Sequence, residues 1–566
     1  PARGDWYREQ NKERQLTVLY KMHELGKISD EEYEQAQAEP LVFTWDADFV
    51  PSANVASRAD SASNTTYDSY FVERMFNDII ADMHEQLGYN EKTAKDMLYT
   101  GGYSIYCTVD PEVQSIVESV YADRNNLNYT SSKGQLLQSG ATIIDNTTGD
   151  IVAVAGRVGE REGRFLLDYS TVVRQCGSAI KPVSTYAPAL DDGTINGASV
   201  IDDYPMLLNG EVWPRNANWR YQGLTALHTA IAQSLNTCAV RTNLAYGVSN
   251  SYDFLVNKLG FENLTYTDSQ QVGNMALGGF EKGVTTEEMA AGFATFVNEG
   301  VYTKPRTFIR VEDANGNVVL ENEAQSTVAM KNTTAAIINH LLQEAALNGT
   351  GYEAQFSGMH IAGKTGSTNS NKDRYFVGYT PYYSCAVWAG YEHNQRIVAS
   401  GNPCSAVFRK VMSAIHADLP DKDFFSCAGL TSVAVCADSG MLASENCALD
   451  VRGSRVYTAL VAADNAPTAV CTMHTAPTYT VNMADSDGNV TTVTGSVLNY
   501  QRELIEGHDE IVVEDAFMML GGWNGFFGDE ADDDFNMPDG DHDDAMDGPP
   551  DTTDQPSDVD DFIRAG

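Results

Sequence analysis

Positive charge is scarce in this chain: 37 lysines and arginines stand against 78 aspartates and glutamates, for a net charge of −41. There is no basic stripe, so nucleic acid is excluded as a partner. Long apolar runs are missing as well. None reaches the ~18–20 residues that a membrane helix requires, and no secretory signal pattern is visible. The first residue is Pro1 rather than methionine, as expected of a fragment whose targeting segment has been removed. Cysteine is sparse, and its count of nine is odd, so the thiols cannot all pair within one chain. Cys436, Cys447 and Cys471 cluster late, where an oxidising compartment allows a disulfide between two of them. Their spacing matches no metal signature, and no metal or other cofactor is expected. Cys107, Cys176, Cys238 and Cys385 are expected as small buried apolar residues.

What is present is ample material for a core, with 43% hydrophobic residues. The acid excess is uneven. From Asp529 to Asp561 aspartate dominates and β-branched residues are nearly absent. Such a segment cannot bury enough apolar surface to offset the entropy of ordering, which predicts a disordered tail over 501–566. At the other end, Leu16, Val18, Leu19, Met22 and Leu25 recur at helical spacing up to Gly26. Ser29-Asp30-Glu31-Glu32 then has the form of a capping box opening a second helix. A polar loop from Ser52 to Tyr67 precedes a helix striped by Tyr70, Val72, Met75, Phe76, Ile79 and Ile80. Tyr103 to Val109 is expected as a strand and Pro111 to Tyr121 as a helix.

Two hairpins are expected, Gln138–Ile144 with Ile151–Val158 around Asn146-Thr147-Thr148-Gly149-Asp150, and Pro305–Val311 with Val318–Glu321 around Asn315-Gly316-Asn317. Strands at Tyr375–Tyr379 and Cys385–Tyr391 and a helix at Ala406–Leu419 follow. Residues 427 to about 500 alternate short β-like runs with turns.

Three short patterns carry chemistry. Ser178-Ala179-Ile180-Lys181 puts a hydroxyl and an amine three residues apart at a helix start, on one helix face. A serine is a weak nucleophile until a base takes its proton. A lysine is such a base when burial or a neighbouring cation lowers its pKa. Ser234-Leu235-Asn236 lies in a helix–turn–helix over Thr225–Leu244, where two polar side chains can point into one space. Lys364-Thr365-Gly366-Ser367-Thr368 joins a cation, hydroxyls and a glycine that lets a substrate backbone approach. Spacing and context rule out a phosphate-binding loop here.

The ordered set Ser-x-x-Lys, Ser-x-Asn, Lys-Thr-Gly resembles that of the penicillin-binding proteins, specifically the transpeptidase half of the class A, bifunctional peptidoglycan synthases. "LYKMHELGKISDEEYEQA" from Leu19, "GGYSIYCTVDPEVQ" from Gly101, "GGFEKGVTTEEMAAGFATFVNEG" from Gly278 and "DRYFVGYTP" from Asp373 are similar to the same family. The resemblance implies an α/β fold of serine β-lactamase type, an antiparallel sheet flanked by helices. It implies a glycosyltransferase remnant over 1–42, a linker module over 43–134, the transpeptidase domain over 135–425 and a β-rich extension over 426–500. The part that would carry a glycosyltransferase's catalytic acid is absent, so polymerase activity is not expected.

Carried over residue by residue, the resemblance makes Ser178 the nucleophile, Lys181 its base, Ser234 a proton relay and Asn236 an orienting group. Lys364 lowers neighbouring pKa values, Thr365 binds the substrate carboxylate, and Ser178 and Ser367 supply the oxyanion N–H groups, with Gly366 and Thr368 lining the same edge. The implied substrates are peptidoglycan stem peptides and their lipid-linked precursor, with β-lactams as acylating inhibitors and cell-wall or division proteins as partners. The implied location is the outer side of the bacterial membrane, through an anchor absent from this chain. Alternatives on the same fold are a DD-carboxypeptidase or β-lactamase, or a non-catalytic β-lactam sensor or scaffold. The chain departs from the family pattern at Cys176, where proline is usual, with local packing or a redox-sensitive thiol as its readings, and at Ser367, where threonine is commoner.

Overall fold

The computed structural model describes residues 2–25, 27–38, 68–204, 206–208, 211–450, 452–474, 479–484 and 490–495. The polar loop expected before Tyr67 and the acidic tail expected after residue 500 lie outside them. The chain divides into two compact units, residues 1–67 and 68–566. The first unit is a helical pair, α1 (Ala2–Glu24) and α2 (Asp30–Ala38). Its expected capping box is formed: the Ser29 N–H donates to Glu32 Oε2 at 2.8 Å, and the Glu32 N–H donates to Ser29 Oγ at 3.3 Å.

The second unit is built on a five-stranded antiparallel sheet. Its strands are β1 (Gln138–Asp145), β2 (Ile151–Ala155), β3 (Ala362–Ser367), β4 (Asp373–Tyr379) and β5 (Tyr383–Gly390), in the order β3-β4-β5-β1-β2. Both faces are covered, and β2 and β5 accordingly read as nearly unbroken apolar runs. Alternation divides the side chains between two cores. Ile144, Val377, Ala386 and Trp388 join one cluster with Met289 and Phe293 of α6 (Thr286–Val297) and Ile338 of α7 (Asn332–Leu347). Ala141, Ile143, Cys385 and Val387 join another with Val113 and Val117 of α4 (Pro111–Ala122) and Val407 and Val411 of α8 (Pro403–Ile415). Helix α6 starts where Thr285 and Glu288 form a reciprocal capping box, the Thr-x-x-Glu signature of a helix start.

The N-terminal part of this unit is woven into the rest. Helix α3 (Tyr70–Leu87) buries Phe71, Ile79 and Met83 in the same cluster as Phe308 and Val311. Strand Ser104–Cys107 pairs antiparallel with Phe308–Glu312, the first strand of the second expected hairpin, to give a three-stranded sheet with Val318–Glu321. At the other end, β6 (Leu430–Cys436) pairs with β7 (Val456–Ala462), and Tyr479–Ala484 pairs with Val490–Gly495.

Two local expectations are corrected. Cys107 is exposed on its short strand, whereas Cys176, Cys238 and Cys385 are buried as expected. The segment after Ser178 is helical but not a regular α-helix: a 3₁₀ turn over Gly177–Ile180, a π turn over Pro182–Tyr186, then an α-helix over Ala187–Asp192. Proline is the cause. Pro182 has no N–H to give the Ser178 carbonyl, which takes the Lys181 N–H in a tighter bond instead. Pro188 likewise has none to give, and the Ala187 N–H reaches back to the Pro182 carbonyl in a wider turn.

Candidate functional site

Three elements converge at the edge strand β3. The turn bearing Ser178 is pressed onto it where glycine alone fits. A Cβ on Gly366 would stand 2.1 Å from the Cys176 carbonyl oxygen, and one on Gly177 would stand 2.3 Å from that of Ser367. A Cβ on Gly278 would in turn meet the Gly177 carbonyl at 2.3 Å. Gly177 and Gly278 also hold positive φ, at 54° and 74°, a conformation that glycine adopts without penalty. The Ser178 turn is thereby seated against Ser367, with Ser178 partly exposed and its neighbours buried.

Lys181 is fully buried one turn further on. Its Nζ donates to the Ser234 carbonyl at 2.8 Å and to Asn236 Oδ1 at 2.7 Å, with Leu235 O and Ser234 Oγ at 3.3 and 3.4 Å. The amine is thus held by the second motif rather than by a hydrogen bond to Ser178. Ser234 occupies the turn before α5 (Asn236–Tyr246) at a φ of 58°, left-handed for a non-glycine residue. Such backbone persists only where the surroundings enforce it. Here it aims the Ser234 carbonyl at the buried amine. Burial, and secondarily the positive charge of Lys364, hold the Lys181 amine well below its ordinary pKa. Lys364 is buried on β3 and donates to the Thr365 carbonyl at 3.3 Å, and burial lowers its pKa to about 7.

Several supporting residues escaped the sequence. Asn236 is fixed by its N–H on Asn216 Oδ1 at 2.8 Å and its Nδ2 on the Arg215 carbonyl at 2.7 Å. Asn216 is held by buried Asp203 at 2.6 Å, which also takes the Thr237 hydroxyl and the Gln222 N–H. Thr365 Oγ1 donates to Thr350 Oγ1 at 2.8 Å, and Arg374 Nη1 donates to Ser367 Oγ at 2.6 Å. Thr368 serves the strand itself, since its Oγ1 accepts the Asp373 N–H at 2.9 Å. Adjacent to the motif, Cys176 is buried, and burial pushes its thiol pKa up. A thiol so shielded is poor in thiolate, which favours its packing role over redox chemistry.

A serine hydroxyl beside an edge strand, with a buried amine of lowered pKa one turn away, has the groups that acyl transfer needs. Residues 139–413 match the family described as the penicillin binding protein transpeptidase domain, and residues 426–476 match the penicillin-binding protein 1A C-terminal domain. Penicillin-binding protein 1A of Clostridium perfringens is 33% identical over 520 residues, covering 86% of this chain and 61% of that protein. This chain therefore spans about three-fifths of that relative's length. Among solved structures, penicillin-binding protein 1A from Haemophilus influenzae matches with a TM-score of 0.58 at 19% identity, over 82% of this chain and 83% of that one. The PonA1 protein from Mycobacterium tuberculosis, in complex with penicillin V, matches with a TM-score of 0.52 at 22% identity, over 62% and 94%. Those two likenesses bear on the fold, which is that of the penicillin-binding transpeptidases. The chain belongs to the class A penicillin-binding proteins, carrying their transpeptidase domain followed by the penicillin-binding protein 1A C-terminal domain.

Proposed function

We propose that this chain is a serine DD-transpeptidase that cross-links peptidoglycan stem peptides and is acylated by penicillins. The observation that carries the reading is the buried Lys181 amine, seated on Ser234 and Asn236 one turn from Ser178. Ser178 Oγ attacks the carbonyl of the penultimate D-alanine, and its proton passes to Lys181 Nζ. The oxyanion is held by the N–H groups of Ser178 and Ser367, worth about 3–4 kcal/mol for a donor of this kind. Ser234 Oγ passes a proton to the departing D-alanine amine. The acyl ester is then attacked by an amine of a neighbouring stem, which restores Ser178. Lys364 and Thr365 receive the terminal carboxylate. The reading assigns cross-linking alone to these residues. It places the protein on the outer side of the membrane, held by an anchor upstream of Pro1, with other cell-wall synthesis or division proteins as partners. Among the described residues no helix is long and apolar enough to cross a membrane.

Incubation with penicillin followed by peptide mapping is expected to place a penicilloyl adduct on Ser178, and a stem-peptide donor with an amine acceptor is expected to give cross-linked product. An adduct on any other residue sinks the assignment. Rapid release of the adduct, with no cross-linked product, would instead mark a hydrolase on the same fold.

A pH profile gives a second check. Lys181 must be neutral to accept a proton, and Lys364 must be charged to hold a carboxylate. The second-order rate constant of acylation reports the free enzyme. It is expected to fall on the alkaline side above about 7, the value to which burial lowers Lys364, and to fall on the acid side as Lys181 is protonated. Replacing Lys364 with alanine should lower the maximum and remove the alkaline limb. An alkaline limb unchanged in that variant refutes the assignment to Lys364.

A further inference from the structure

Far along the chain from the catalytic motifs, three cysteines and a histidine come together from three loops. Cys436 ends β6, Cys447 lies in the 3₁₀ turn Glu445–Leu449, and Cys471 and His474 follow β7. All four are buried, and their ligand atoms lie within 4.8 Å of one another. His474 Nδ1 is 3.5 Å from Cys436 Sγ and 3.6 Å from Cys471 Sγ. A tetrahedral zinc with Zn–S near 2.3 Å and Zn–N near 2.0–2.1 Å sets its ligand atoms about 3.5–3.8 Å apart. We propose that Cys436, Cys447, Cys471 and His474 form a structural zinc site that holds the C-terminal module together.

The surroundings fit thiolate ligands. The Asp438 N–H points to Cys436 Sγ at 3.4 Å, and the Ser444 N–H and hydroxyl point to Cys447 Sγ at 3.3 and 3.2 Å. His474 is oriented as a zinc-bound imidazole should be, with its other nitrogen turned to carboxylates. Nε2 lies 3.2 Å from Asp438 Oδ2 and 3.1 Å from Asp450 Oδ2. Those carboxylates are already engaged by cations. Asp438 pairs with Arg452 and Arg455 at 2.8 and 2.9 Å, and Asp450 pairs with Arg452 at 2.9 Å. They act as the outer support of the imidazole, and the sulfurs and Nδ1 as the ligands. Three thiolates and one imidazole select zinc over harder divalent ions. All four positions are taken by protein, which marks a closed, non-catalytic centre.

The module also needs a staple. A two-stranded hairpin is marginal by itself, and small domains without a sizeable core depend on metals or disulfides. Between the sheet and the cysteines, the buried apolar side chains among the described residues are few: Val435, Ala459 and Val461, packed on Ala198. A disulfide would use two of the three sulfurs and leave the third thiol buried beside it. The sequence signal that was available is Cys471-x-x-His474, a chelating pair whose partners lie too far off to look like a motif.

The test uses the full chain, purified without a histidine tag or chelator, with free thiols alkylated before mapping. About one zinc per chain is expected. Cobalt(II) put in its place should show the intense visible bands and thiolate charge-transfer absorption of a tetrahedral S₃N site. Cys447→Ser should lose the zinc, whereas Cys427→Ser, outside the cluster, should keep it. Asp450→Asn should weaken zinc binding about 10- to 100-fold, the usual cost of losing an outer-shell partner. Penicillin labelling of Ser178 in the same samples reports whether the transpeptidase domain is still folded. If Cys447→Ser does not fold, the parent's cobalt spectrum and zinc content decide. A disulfide between any two of the three cysteines, or no zinc and no cobalt spectrum after reconstitution under reducing conditions, overturns the proposal.

Discussion

Lys181→Ala is expected to cut the second-order rate of penicillin acylation by about 10³-fold, within the 10²–10⁴ range of general-base catalysis. Ser178 would keep its place, because the glycine contacts that seat it do not involve the amine. It would lack an acceptor for its proton. The amine also ties the second motif to the first: its removal leaves the Ser234 carbonyl and Asn236 Oδ1 without their buried donor. An unsatisfied buried acceptor costs about 1–3 kcal/mol. Against that stands the relief of no longer burying an amine at all, since Lys181 sits well below its ordinary pKa in the folded chain. A depressed lysine pKa means that the folded chain holds the proton less tightly than the unfolded chain, so this group opposes folding most at acid pH, less as pH rises through its folded pKa, and not at all past its unfolded value near 10.4. The two terms have opposite signs, and at neutral pH the melting temperature should move far less than the rate does. Stopped-flow acylation and a melting curve on one sample check both. Acylation within tenfold of the parent would remove Lys181 from the mechanism.

Gly366→Ala carries only a methyl group, yet it is expected to lower acylation by about 10²-fold, the cost of a misplacement of order 1 Å at a reacting atom. The new carbon would lie 2.1 Å from the Cys176 carbonyl oxygen, 2.8 Å from Tyr375 Cβ and 2.9 Å from Ala179 Cβ. None of these is the end of a flexible side chain that can swing away. Tyr375 is the register partner of Gly366 across β3 and β4, so the strand pair resists and the Ser178 turn yields. Overpacking of this kind costs about 1–3 kcal/mol. The defect should therefore appear in the acylation rate more than in expression or labelling stoichiometry at long times. An acylation rate equal to the parent's would show that the turn is not seated by this contact.

The two helices that flank Ser234, the first hairpin, and the strands and helices around the sheet were legible, because each rests on local periodicity and turn chemistry. The three motifs were legible because their order, not their individual content, is specific. What the sequence hid was pairing at a distance. Asp203 and Asn216 belong to none of the motifs, and only the fold places them behind Asn236. Thr350 and Arg374 meet Thr365 and Ser367 by the packing and register of the edge strand. The regular helix expected after Ser178 failed for a local reason that was available: two prolines, at 182 and 188, each withhold a donor. Cys107 was misplaced because its four-residue strand presents it to solvent while Phe308, its register partner, is buried.

The sheet shared by Ser104–Cys107 and Phe308–Glu312 bears on how this protein can be cut. By sequence, a boundary near residue 134 looks like a natural place to begin a smaller crystallisable fragment. Cutting there would strip one neighbour from Phe308–Glu312 and leave a row of unpaired backbone donors and acceptors on a newly made edge. It would also pull Phe71, Ile79 and Met83 out of the core they share with Phe308 and Val311. The fragment would expose an adhesive edge and an apolar face together, the recipe for aggregation rather than for a trimmed enzyme. The segment from residue 68 to residue 134 is thus a structural part of the catalytic body, and a working truncation has to begin ahead of Tyr70.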